Sequence, residues 1–397
     1  MKISKIITAA IVLFSFDSLI KITFDDFRIH ISHLLILGAL LLCTISSKKW
    51  AVPYARSNKT IILLLAYLLL HAFIATDLKT YVIVLSYFLL AVIMHIAIFT
   101  YSQKINFSYF FKISLLILII TGLAQFILQH VFNFQISLGG LSEEYYNNGG
   151  SIVDRMRGLF LEPNWYGLYL AACLIGYITT TRVRKNHTWI ILASLICLYL
   201  SGNRLTLYFS LISIAAFFYE KHAHRIPRLV LICACLAPIA FLIALTFSSS
   251  LSESFGEDRS ASARSVTALK TATYMQSNFS FPSLLLGNGL STWGEISFQA
   301  NLSSRADSEK SKTARDTSES YVILFELGII GAILFLLDFY AVCNLCKKRP
   351  EGSQMMILAS LIFSAAFYYP IFYFMMYLAP YFAARTYCSL RSGEPNV

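Results

Sequence analysis

The chain has 397 residues, of which 57% are hydrophobic and 13% charged, and it carries a formal net charge of +11. With a mean hydropathy of +0.65, it is too apolar for a water-facing globule, whose surface must be largely charged. The basic groups are scattered among short connections, which excludes a folded nucleic-acid module and predicts no nucleic-acid partner.

Apolar runs recur along the whole chain. A membrane-crossing helix needs about 20 apolar residues for roughly 30 Å of hydrocarbon. On that measure spans are expected near 4–20, 29–47, 60–76, 80–100, 110–132, 163–181, 187–201, 204–219, 228–248, 320–342, 354–370 and 372–387. This predicts an all-α polytopic integral membrane protein of about 12 helices, forming a single domain over 1–397. The first run has a basic start but no small-residue cleavage site, and Asp17 interrupts it, so it reads as a retained helix.

Five of the eight cysteines, Cys43, Cys173, Cys197, Cys233 and Cys235, lie inside apolar runs, so no disulfide framework is expected. The spacing of Cys343 and Cys346 lacks a second pair, and no metal site is expected.

Basic residues alternate between the connections. Lys2 and Lys5, Lys48 to Lys59, Lys104 and Lys112, Arg182 to Lys185, Lys221 to Arg228, Lys347 to Arg349, and Arg385 with Arg391 fall on one side. Retention of Lys and Arg on the cytoplasmic face then places both termini inside. The opposite face carries two long loops, 133–162 and 249–319, and long loops between packed elements concentrate function.

The first of these loops ends in "RMRGLFLEPNWYGLYL", residues 155–170. Arginine presents a fork of donors matched to phosphate oxygens and keeps its charge. Arg155, Arg157, Arg204, Arg259 and Arg264 all fall at the outer face, where basic residues break the charge trend and invite a bound anion. Contact with lipid headgroups or pairing with nearby acids explains the others equally well, but less well Arg204, which sits in the tight turn "SGNRLTL" between two spans where a free charge has little solvent. Glu162 before Pro163 is placed either to cap the next helix or to take a proton. Asn164 reads as a first-turn polar residue, and Trp165 as an interfacial aromatic. In the second loop, Ser262 to Met275 has the apolar spacing of a short helix lying on the bundle, with Arg264 in its first turn. Gly287 and Gly289 mark a turn beyond it, and 301–320 is polar.

Four stretches, "RMRGLFLEPNWYGLYLA", "SGNRLTLYFSLI", "SARSVTALKTA" followed by "PSLLLGNGLSTWG", and "SESYVILFELGIIGAILFLL", occur in the order seen in the O-antigen polymerases and ligases of bacterial envelopes. Over roughly 150–345 the chain resembles that family. The resemblance implies a GT-C-type glycosyltransferase in the inner membrane that acts at the periplasmic face without a cofactor or metal. It would take an undecaprenyl-diphosphate-linked glycan as donor and another as acceptor, in contact with membrane lipid and with a chain-length regulator as partner.

By the same resemblance Arg204 and Arg264 hold the pyrophosphate. Ligases carry a histidine just before the late "ELGxxG" helix, where this chain has Thr317 or Ser318, so a polymerase of O-antigen or exopolysaccharide is favoured. The alternatives are a ligase transferring glycan to lipid A core and a polysaccharide flippase or other transporter. Glycosyl transfer from a pyrophosphate needs cations where charge develops, and a base for the incoming hydroxyl. Glu162 and Glu319 rank before Asp316 for that base. Arg157, Asn164, Arg259, Asp316, Trp293 and Tyr321 complete the expected substrate-binding set, the two aromatics by stacking on sugar rings.

Overall fold

A computed structural model describes residues 8–9, 12, 21–24, 27–30, 37–38, 51–132, 155–160, 162–181, 188–222, 226–247, 259–302, 319–345, 351–367 and 378–392. Its elements are β1 (Lys21–Phe24), β2 (Phe27–His30), α1 (Ala51–Ser57), α2 (Lys59–Leu70), α3 (Leu78–Thr100), α4 (Phe107–Phe132), α5 (Pro163–Thr180), α6 (Thr188–Leu200) and α7 (Arg204–His222). They continue with α8 (Arg228–Phe247), α9 (Arg259–Asn278), α10 (Phe281–Leu286), α11 (Trp293–Gln299), α12 (Glu319–Asn344), α13 (Glu351–Ala365) and α14 (Ala379–Ser392).

Three helical stretches, Leu78–Thr100, Phe107–Phe132 and Ser320–Asn344, are long and apolar enough to cross a membrane. Large apolar side chains face outward along them, among them Val82, Ile120, Ile127, Val131, Leu336 and Leu337. Contiguous exposed apolar surface is costly in water and ordinary in lipid, so these faces mark the chain as membrane-associated. The expected spans 60–76, 163–181, 187–201, 204–219 and 228–248 appear as shorter helices, and 354–370 and 372–387 overlap α13 and α14, with 368–377 outside the described residues. The expected spans 4–20 and 29–47 lie almost wholly outside the described residues.

The described residues are mostly helical, consistent with the all-α expectation, and β1 and β2 add one short antiparallel pair with Ile22 opposite Ile29 and Phe24 opposite Phe27. Alternating β-branched and aromatic residues on either side of Asp25-Asp26 favour a hairpin over a helix.

Helix α5 is the axis of the bundle. It packs against α4, α6, α7, α13 and α14, and nearly every residue from Pro163 to Thr179 is buried. Small residues allow the close approach: a side chain at Gly176 would overlap the ring of Phe111 on α4. Helix α13 lies beside α5, α7, α8, α12 and α14, and Gln354 on it is held by Ser213 of α7 through a 2.5 Å hydrogen bond.

Arg385, expected on the cytoplasmic side, is buried, and both its terminal nitrogens donate to Asp338 at 2.9 Å. An arginine and an aspartate on facing helices neutralise each other more favourably than either sits alone in apolar surroundings. The helix of the second loop runs from Arg259 to Asn278, longer than 262–275, so Arg264 falls in its second turn. That stretch is polar, and hydropathy carries no signal for its ends.

Candidate functional site

The N-termini of two helices meet beside α4. Pro163 opens α5, where a missing N–H costs nothing, and Glu162 before it is extended, with φ −130° and ψ 143°. The Glu162 carbonyl accepts from Tyr166 N at 3.3 Å, while its carboxylate makes no capping hydrogen bond.

Helix α7 opens at Arg204 after the turn Ser201-Gly202-Asn203. Asn203 caps α7, its Oδ1 accepting from Thr206 N at 3.3 Å. Its Nδ2 donates to the carbonyl of Asn164 in the first turn of α5 at 3.1 Å. One buried asparagine thus ties the two helix starts together.

Arg155 closes the junction. Its Nε donates to Ser201 O at 2.6 Å and its Nη2 to Asn164 Oδ1 at 3.2 Å. Gly202 has φ +62°, and a side chain there would stand 2.7 Å from Arg155 Nε. Glycine is required both by the backbone and by the guanidinium lying over it. Residues 155–158 are fixed from the other side, since Met156 N donates to Leu200 O at 2.9 Å. The amides of Arg157 and Gly158 both donate to Gln125 Oε1 on α4, at 3.0 and 3.2 Å.

The junction therefore gathers Arg155, a buried Arg157, an exposed Arg204 and two helix N-termini. Each helix start adds about half a positive charge through its unsatisfied amides. The arrangement is chemically fitted to hold oxygens of a phosphate or diphosphate.

A second unit is built on α12. Gly328 interrupts that helix, with φ 63° and ψ −167°, and the 287–289 turn docks at the interruption. Asn288 N donates to Phe325 O at 3.1 Å and Gly289 N to Glu326 O at 3.0 Å. Tyr67 on α2 donates to Leu327 O at 2.7 Å and lies 3.0 Å from Leu286 O. The fully buried Glu326 accepts from Trp293 N at 3.0 Å. Carbonyls freed by the break are thereby satisfied by the turn and by α2.

The expected site residues divide between these units. Arg157, Glu162, Asn164 and Arg204 come together at the junction. Arg259 and Arg264 lie on α9, which packs on α8 and α12, while α8 also touches α7. Glu319 is the first residue of α12, and Asp316 lies outside the described residues. Trp293 is 1% exposed in a small core with Leu302, Val322 and Phe325. Tyr321 and Phe325 lie against its ring, with centroids 5.4 and 5.2 Å away. It is a packing residue here, with Tyr321 half-buried against it.

No protein-family profile and no curated protein matches the chain. The junction must therefore be judged on its own geometry. Arg155 belonged to the five outer arginines but not to the expected binding set, and Asn203 was missed. Its signal was an asparagine directly before a helix start, in "SGNRLTL". No group of three or more His, Cys, Asp or Glu among the described residues is arranged to hold a metal ion.

Proposed function

We propose that this chain is a polytopic inner-membrane glycosyltransferase of the GT-C kind, with about twelve spans, that polymerises undecaprenyl-diphosphate-linked repeat units into O-antigen or exopolysaccharide at the periplasmic face. The observation that carries the reading is the junction of α5 and α7, where Arg155 bridges the two helix starts beside Arg157 and Arg204. In this reading the arginines stabilise the diphosphate as the bond to the donor sugar breaks. That leaving group is already a weak base, so fixed cations do most of what an acid would do. Glu162 stands at the same junction, directly before α5, and it is the carboxylate we assign to the acceptor hydroxyl, ahead of Glu319.

Deleting the gene should leave lipid A core carrying a single repeat unit. Bare core with polymer stranded on the carrier would indicate a ligase instead, and loss of periplasmic repeat units a flippase. Arg204→Ala and Arg264→Ala should each abolish polymer while the protein still inserts. Arg155→Lys should lower polymer yield at least tenfold, because a single ammonium cannot span Ser201 O and Asn164 Oδ1 together. Normal polymer from the Arg204 or Arg155 variant would refute the diphosphate reading of the junction.

A further inference from the structure

A cavity of about 280 Å³ lies between α2, α3, α12, α13 and α14, well away from the arginine junction. Leu64, Val92, Phe335, Ile362 and Phe382 represent its wall, one from each helix. On α3 the lining runs from Phe88 to His95, a rise of ~10 Å at 1.5 Å per residue, and on α12 it lies on both sides of the break at Gly328. The rise on α3 is about a third of the ~30 Å thickness of a bilayer's hydrocarbon. Two of the walls, Leu78–Thr100 and Ser320–Asn344, are themselves long and apolar enough to cross a membrane. The cavity is a slot standing at the depth of lipid tails.

Its polar groups favour an uncharged occupant. Asp338, the one carboxylate among the described residues of the wall, is neutralised by the two hydrogen bonds from Arg385 and accepts a third from Thr60 Oγ1 at 2.5 Å. His95, at the same end, has its Nδ1 3.1 Å from Tyr54 OH and its ring stacked on Phe382. An anionic or cationic ligand would find no counter-charge left to meet it, and water would find almost no partners along the apolar length.

We propose that this slot holds a segment of one acyl chain of a bilayer phospholipid as a resident part of the folded protein. Phospholipid is the solvent at this depth, so a site matched to its chain fills by mass action. No residue of α5, α6 or α7 lines the slot, so a carrier lipid held by its diphosphate at the junction has no lining in common with it. This inference stands apart from the proposed function.

The test places p-benzoylphenylalanine at Phe335 in the full chain in native membranes. After irradiation, adducts are identified by mass spectrometry and compared with those of the same probe at the outward-facing Leu337. The expected result is a phospholipid adduct at Phe335 of at most one per chain. Ala332→Phe and Ala359→Phe, which fill the slot, should lower it at least tenfold and leave the Leu337 adduct unchanged. Adducts at Phe335 only to the carrier polyprenol, or only within the protein, overturn the proposal, as does a phospholipid adduct indifferent to the filling substitutions. If the probe at 335 prevents insertion, Phe363 on the facing wall gives the same readout.

Discussion

Asp77 shows how one side chain can fix a helix start. Its Oδ1 accepts from Lys79 N at 2.9 Å and its Oδ2 from the Thr80 hydroxyl at 2.5 Å, just before α3. The Thr80 hydroxyl, with help from the Thr80 and Lys79 amides, pulls the carboxyl below its ordinary value of 3.8. A depressed carboxyl stabilises the fold above its unfolded pKa and loses that contribution as pH falls through the folded value. Asp77→Ala should therefore cost about 1 kcal/mol at neutral pH. In detergent melts the gap from wild type should narrow below about pH 4. At this scale the sequence was partly readable. Pro163 and Glu162 announced a helix start, and α5 begins there, but the carboxylate that was equally well placed to cap makes no cap bond. Arg155 contacts Ser201, 46 residues later, and no local pattern encodes a meeting made by packing.

At the scale of elements, the break in α12 and the 287–289 turn form one lock. A side chain at Gly328 would collide with Leu285 O and Gly287 N, and one at Gly287 with Glu326 O. Both glycines also have positive φ, so each is demanded twice, by conformation and by space. Gly328→Ala should destabilise the lock by about 1–3 kcal/mol. Faster hydrogen exchange at the Asn288 and Gly289 amides, and a shift of Trp293 fluorescence, would report it. Unchanged exchange would mean that the turn holds without α12. The two turn glycines were legible in the sequence, but their partner was not. "FELGIIG" reads as an uninterrupted apolar helix, because hydropathy registers which residues are buried and is blind to a dihedral angle. Trp293 was misjudged for a related reason: an aromatic near an interface has the same sequence signal whether it faces lipid, sugar or a small core.

For the whole molecule, apolar runs located α2 to α8 and α12 to within a few residues, because burial in lipid requires long stretches of one character. What they could not supply was the order of helices around α5 or the partner of a buried charge. Asp338 and Arg385 join α12 to α14 with side chains only 19% and 4% exposed. Asp338→Ala leaves the arginine without its carboxylate and should cost about 3–5 kcal/mol. Replacing both residues by leucine should recover most of that loss in thermal unfolding of the detergent-solubilised protein.

The same pair bears on how the chain is made. Asp338 is made 47 residues ahead of the arginine that neutralises it, and for that interval the guanidinium that meets its charge does not yet exist. A chain stopped before Arg385 would keep an acid on α12 without its guanidinium, so α14 is needed to neutralise its neighbour as well as to pack against it.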